Sequence, residues 1–201
     1  MNEIELIQSA QQGDLDAFNH LVLVYQDIAY NVAFRILADK HNADDAVQNA
    51  FISAFHNINK FRGGSIRAWI LRIVTNSCYD ELRRRKRQPT TPLDPINSDG
   101  EEMDSPQWMV DNSPTPEETF ESTELERAIQ DCLNDLPEDF RAMIVLIDIQ
   151  GLDYQETSQV LNSPLGTIKS RLARSRKKMR DCLQTVQELL PSQFRLEGEG
   201  V

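Results

Sequence analysis

Gly151-Leu152-Asp153-Tyr154-Gln155-Glu156-Thr157-Ser158-Gln159-Val160-Leu161-Asn162-Ser163, continued by Pro164-Leu165-Gly166-Thr167-Ile168-Lys169-Ser170-Arg171-Leu172-Ala173-Arg174-Ser175-Arg176-Lys177-Lys178-Met179-Arg180, reads as a short helix, a tight turn and a second, basic helix. Asp153 supplies the N-cap oxygen of the first, and Glu156 three residues on is its reciprocal partner in a capping box. In the second, Leu165, Ile168, Leu172 and Met179 recur at helical spacing and form a stripe that packs. Lys169, Ser170, Arg174 and Lys177 then face outward. Residues 164–180 carry seven basic side chains and no acid, in a chain of net charge −11. An acidic protein that concentrates cations on one helix aims them at a polyanion. Helix, turn and basic helix is the layout of a helix-turn-helix reader of duplex DNA.

With 201 residues, 40% of them apolar, the chain has room for one large domain or two small ones. It has no apolar run of eighteen residues, so no membrane insertion is expected. The start, Met1-Asn2-Glu3-Ile4-Glu5, has neither the basic region nor the apolar core of a secretory signal. Cys78, Cys132 and Cys182 are odd in number, widely separated and free of CxxC spacing. That pattern favours reduced thiols in a cytoplasmic setting, with no disulfide and no zinc site. His20, His41 and His56 are equally scattered, so no metal and no cofactor is expected. No Ser/His/Asp set or paired carboxylates stand out, and an enzyme is the least favoured reading.

Charge divides the chain. Between Arg87 and Arg127 there is no Lys or Arg, while eleven acids from Asp94 to Glu126 equal the whole net charge. Six of the nine prolines fall in the same stretch. Repelling charge, proline and low apolar content mark an extended linker. It serves as a solvated spacer or, alternatively, as a DNA mimic that competes for the basic surfaces. The expected organisation is an N-terminal domain over 1–88, a linker over 89–122, a C-terminal domain over 123–185 and a tail over 186–201.

Both domains read as all-α. From Asp14 to Ile36, apolar residues recur at spacings of three and four, and Ala43 to Ile58 repeats the pattern. A third run, from Ile66 to about Arg87, carries Trp69, Ile70, Ile73, Val74 and Tyr79 before turning wholly basic. In the C-terminal part, Thr123 with Glu126 reads as a capping box, and Pro137 as the first residue of a further helix.

Two N-terminal surfaces exceed what a core requires. The helix that turns Val47, Phe51 and Phe55 inward turns Asp44, Asp45, Gln48, Asn49 and Ile52 outward. An apolar residue among an acid and amides suits a partner-binding face, though a plain solvated face reads alike. The second surface runs from Phe61 through Arg62, Gly63, Gly64, Ser65, Ile66, Arg67 and Ala68 to Trp69, then into a helix ending Arg83-Arg84-Arg85-Lys86-Arg87. Aromatics interleaved with Arg suit single-stranded nucleic acid, although Trp69 is equally a core residue by pattern. The five terminal cations are more than a helix dipole requires.

Together these residues resemble the bacterial sigma factors of the extracytoplasmic-function type, the small sigma-E-like members of the sigma-70 family. The likeness covers about residues 3–185. It rests on Ala43-Asp44-Asp45-Ala46-Val47-Gln48-Asn49-Ala50-Phe51, on Phe61-Arg62-Gly63 with Trp69 and Asn76, on Leu136-Pro137-Glu138, and on Gly151, Tyr154, Glu156, Leu161, Pro164 and Gly166 through Leu172 with Arg174. The resemblance implies a stress-responsive factor that directs RNA polymerase core to promoters. It implies that Asp44, Asp45, Gln48, Asn49 and Ile52 dock on the clamp helices of the largest subunit, with the flap of the second subunit a further contact. Phe61, Arg62, Ser65, Arg67, Trp69 and Asn76 would open and read the −10 element, an extruded base held in a pocket. Arg72 and the surface of Arg83, Arg84, Arg85, Lys86 and Arg87 would hold the duplex upstream. Thr167, Lys169, Ser170, Arg171, Arg174, Lys177 and Lys178 would meet the −35 element in the major groove, most contacts there being to phosphate. An anti-sigma factor is a further partner that the family leaves open.

The chain departs from the family pattern at Asn49, usually Glu, and in a Phe61–Trp69 turn one residue shorter than the commonest form. Thr157 and Ser158 replace an aliphatic–Ala pair, which is expected to loosen the first helix of the reader. Elements about 24 base pairs apart lie roughly 80 Å apart along the duplex. The 34 residues from Pro89 to Ser122 average about 32 Å as a coil but stretch to about 115 Å. The linker therefore spans the gap only when drawn out. The competing readings are a self-sufficient helix-turn-helix repressor or activator, and an RNA- or protein-binding adaptor.

Overall fold

A computed structural model describes residues 2–87 and 116–189, with the backbone alone over 116–123. Every regular element among these residues is helical. Helix α1 (Glu3–Gln11) opens on a capping box in which Asn2 Oδ1 accepts from the Glu5 amide at 2.9 Å and the Asn2 amide donates to Glu5 at 3.0 Å. Helix α2 (Leu15–Leu37) is capped by Asp14, whose carboxylate accepts from the amides of Asp16 and Ala17. Its buried stripe of Phe18, Leu21, Tyr25, Ala29, Val32, Ala33 and Ile36 is the spine of the N-terminal bundle. Helix α3 (Lys40–Asn57) buries Ala43, Ala46, Ala50 and Ala54, small side chains that let two backbones approach closely. After a 3₁₀ turn at Ile58–Lys60, α4 (Ile66–Arg87) closes the bundle with Ile66, Ile70, Leu71, Val74 and Cys78. Burial pushes the Cys78 thiol up to about 12, so it stays neutral.

The C-terminal domain is built from α5 (Pro116–Asn134), α6 (Glu138–Met143), α7 (Tyr154–Val160) and α8 (Leu165–Thr185), with a closing 3₁₀ turn at Gln187–Leu189. Helix α6 runs on through a wide π-type turn at Ile144–Ile149. Its core holds Leu133, Leu136, Met143, Leu146, Leu152, Val160, Ile168 and Leu172. Thr123 does not open a helix: α5 starts at Pro116. A proline tolerated in the first turn, followed by Glu117 and Glu118 near the positive helix end, is the stronger start signal. Pro137 sits at the N-cap of α6, one residue ahead of the expected place. The rest of the linker and the tail from 190 lie outside the described residues.

The expectation that every cysteine is a free thiol fails for two of the three. Cys132 on α5 and Cys182 on α8 form a disulfide with Cα atoms 5.7 Å apart. Counting cysteines by sequence spacing misses a pair that only packing of the two helices brings together.

The two domains share a seam, α4 against α7 and α2 against α5 and α6. Arg141, half-buried, donates to the carbonyls of Leu133 (2.9 Å), Asn134 (2.7 Å) and Leu136 (3.3 Å), and across the seam to Ile36 (2.6 Å). Arg35 donates to Gln130 Oε1 at 3.2 Å, and Gln130 Nε2 returns a bond to the Arg35 carbonyl at 3.3 Å. No described helix is long and apolar enough to cross a membrane. The described residues hold no cluster of His, Cys, Asp and Glu fit for a metal ion.

Candidate nucleic-acid interface

The turn between α7 and α8 is held by local polar bonds. Glu156 N donates to Asp153 Oδ1 at 2.7 Å and Asp153 N donates to Glu156 Oε2 at 3.1 Å, the capping box read from the sequence. Thr157, fully buried, donates its hydroxyl to the Asp153 carbonyl at 2.8 Å. Ser158 Oγ donates to the Ser163 carbonyl at 2.6 Å and so closes the turn. These hydroxyls fasten the reader, contrary to the loosening expected of them. Asn162 takes the left-handed conformation (φ 47°) that Asn adopts more readily than most residues.

Helix α8 buries Ile168, Leu172 and Ser175 and half-buries Met179. Lys169, Ser170, Arg174, Lys177 and Lys178 are exposed, with Thr167 half-buried at their base. The Lys169 ammonium lies 5.9 Å from the centre of the Tyr154 ring. Leu165, expected in the packed stripe, is 41% exposed at the first helical position. Two of the basic side chains are already engaged. Arg171 Nη1 meets Asp139 Oδ2 at 3.1 Å, and Arg176 forks onto Asp148 at 2.5–3.2 Å.

The N-terminal surface is organised by the entry to α4. Gly63 (φ 98°) and Gly64 (φ 91°) make a turn that an L side chain would strain, and Ser65 Oγ accepts from the Ala68 amide at 3.1 Å as the cap. Phe61 is buried, edge-on to Trp69 with centroids 5.7 Å apart, and Gln11 Nε2 donates to the Ile58 and Phe61 carbonyls. Trp69 is half-buried against the core. Arg62, Arg72, Asn76, Arg83 and Arg84 are exposed. Arg83 pairs with Asp80 at 2.7 Å and Arg84 with Glu81 at 2.7 Å, whereas Arg85 turns back toward Glu81, Asp39 and the Leu37 carbonyl. Bonding from Arg84 first, and from Arg85, outweighs desolvation and holds the Glu81 carboxyl below its usual value. Arg67 donates to the Gln150 carbonyl of the C-terminal domain.

On α3, Asp44, Asp45, Gln48, Asn49 and Ile52 are all exposed, Ile52 at 51%, on one outward face. The structure also brings together residues that no sequence pattern singled out as a site. Glu138 and Asp139 share a cleft with Arg72, Asn76, Tyr79, Arg83, Leu161 and Asn162, so the α4 surface faces the turn of the reader. Burial, then the Asp139 and Glu138 charges, push the Tyr79 hydroxyl up from its ordinary value. Glu138 was legible as part of Leu136-Pro137-Glu138, but its partner across the seam was not.

The profile of sigma-70 region 2 matches residues 21–88, and that of sigma-70 region 4 matches residues 126–179. Over 180 residues the chain is 34% identical to the extracytoplasmic-function sigma-E factor of Haemophilus influenzae, covering 89% of this chain and 94% of that one. The chain belongs to the extracytoplasmic-function sigma factors. This sigma factor is also 35% identical to SigW of Bacillus subtilis over 179 residues, 89% of this chain and 95% of that one. Among solved structures, it aligns with CnrH in complex with the cytosolic domain of CnrY at TM-score 0.64 and 24% identity, over 90% of this chain and 96% of that one. The sigma factor RpoE of Bartonella quintana, in complex with the anti-sigma factor NepR, aligns at TM-score 0.63 and 24% identity, over 84% and 98%. These two likenesses establish the fold. As a member of its family, the sigma factor directs promoter-specific initiation of transcription with RNA polymerase.

Proposed function

We propose that the exposed cations of α8 read the −35 element while the α4 surface opens and holds the −10 element. The observation that carries this reading is the outward row Lys169, Ser170, Arg174, Lys177 and Lys178 on a helix set by a capped, hydroxyl-fastened turn. Such a row fits the major groove, with side chains N-terminal on the helix nearest the base edges and later ones on phosphate. Arg62, Arg72, Asn76, Arg83 and Arg84 serve single-stranded and upstream DNA. Phe61 and Ser65 act through position, one packing the turn and one capping the helix that presents the others. Arg67 and Arg171 join after they leave their present acceptors. Trp69 stacks with a base by its exposed part.

The Asp44, Asp45, Gln48, Asn49 and Ile52 face docks on the clamp helices of the polymerase largest subunit, and the C-terminal domain contacts the flap of the second. The protein acts in the cytoplasm as a non-catalytic initiation factor. The relatives solved with CnrY and with NepR support an anti-sigma factor as a further partner. In vitro transcription with purified core polymerase on a random promoter library tests the reading. Enrichment of two-part promoters dependent on the added chain is expected. Absence of core association, with initiation equal without the chain, would sink it.

A further inference from the structure

We propose that Glu138 and Asp139 latch the free chain shut by occupying, as internal phosphate surrogates, the cations of both DNA-reading surfaces at once. This rests on the functional reading above. Both acids sit in the first turn of α6, between the two surfaces. Glu138 Oε1 lies 2.8 Å from Lys86 Nζ, beyond the Arg83–Arg85 run of α4. Asp139 Oδ2 lies 3.1 Å from Arg171 Nη1 on α8. The same pair lines the cleft that holds Arg72, Asn76 and Arg83. A carboxylate offers guanidinium groups the same planar pair of oxygens that phosphate offers, so what holds Arg171 here competes with DNA. The Gln150 carbonyl, a single neutral acceptor, engages Arg67 across the same seam.

Geometry makes closure and promoter reading exclusive. Elements roughly 80 Å apart along a duplex cannot both be met while α4 packs directly on α7. The seam is also specifically built. A half-buried guanidinium, that of Arg141, ties Ile36 to three carbonyls of its own domain, and Arg35 and Gln130 exchange two bonds. The acid pair is the weaker part, since exposed ion pairs each contribute little. A latch of that strength holds the free chain and yields when polymerase and a polyanion compete for its partners.

The test uses the full chain, wild type and Glu138→Gln/Asp139→Asn, with a promoter duplex selected in the transcription assay. Small-angle scattering reads the size of the free chain, and fluorescence anisotropy reads its affinity for the duplex at low salt. The double variant is expected to expand and to bind severalfold tighter, below the about tenfold ceiling set by a closed state holding about nine molecules in ten. A variant as compact as wild type, or one that expands without binding tighter, overturns the latch. A second variant, Arg35→Ala/Gln130→Ala, loosens the seam away from both readers. A gain confined to it also overturns the latch, because packing and not the acid pair then does the covering. Wild-type holoenzyme run in parallel separates the failures. If it initiates while the acid variant binds no tighter, only the latch falls; if it does not initiate, the functional reading falls first.

Discussion

Neighbouring cations on one helix differ in what they are free to do. Lys169 and Arg174 project from α8 with no carboxylate within ion-pair distance among the described residues, whereas Arg171 and Arg176 are held by Asp139 and Asp148. Periodicity made the outward face legible, because a 3.6-residue period separates packed from solvated positions. It could not separate free from engaged cations, because the acids lie 32 and 28 residues earlier in the chain. Arg174→Ala is therefore expected to cost about 1–3 kcal/mol in promoter binding by holoenzyme and to relax preference at one −35 position, as loss of a base contact does. Lys178→Ala should instead weaken all sequences alike and lower the salt slope by about one. Titration of holoenzyme against promoter variants over a salt series distinguishes them, and unchanged binding by Arg174→Ala removes that residue from the reader.

At the scale of the helix, ends were more legible than partners. The Asp153 cap was plain because an acid before an apolar period satisfies orphan amides, a signal that Asp14 carries too but that its apolar period alone did not single out. Helix α1 was missed although Asn2 and Glu5 carry the same capping-box chemistry, its apolar stripe being only two turns long. The α5–α8 staple was illegible, since its cysteines are 50 residues apart in sequence. Closing a loop of that length restricts the unfolded chain by about 4 kcal/mol in the loop-entropy view. Cys132→Ser/Cys182→Ser, or reductant on the wild type, should lower the thermal midpoint of the C-terminal domain followed by circular dichroism. Alkylation of the native oxidised chain should leave buried Cys78 unlabelled. An unfolding curve indifferent to reductant contradicts the staple. The last turns of α4 carry their own pH signature. The folded Glu81 carboxyl titrates below the ordinary glutamate value, so its contribution is present above that ordinary value and is lost as pH falls through the lower, folded one. Glu81→Gln should flatten that part of the acid-unfolding curve, and identical acid curves for both proteins dispose of the effect.

For the whole molecule, the sequence distinguished two helical bodies and an anionic tether by charge and proline alone, yet carried no sign of how the bodies meet. Helical periodicity reports which face of a helix is buried, not whether its cover comes from the same domain. The residues that hold the seam (Arg35, Gln130, Arg141) look like ordinary solvated positions in a one-dimensional pattern. Their contacts make a prediction about the entire chain. Lys86 and Glu138 are 2.8 Å apart across the seam, so a zero-length carbodiimide should join that amine to that carboxylate in the free protein. Peptide mass spectrometry should find the link in the isolated chain and lose it in holoenzyme bound to a two-element promoter. Readers that must lie roughly 80 Å apart on DNA cannot remain joined by a bond the length of an amide. For the same reason the linked fraction, once purified, should fail to initiate while mock-treated chain initiates normally. Equal linkage in free chain and promoter complex, or full activity of the linked species, means that the two bodies stay together on DNA and that the tether is never drawn out.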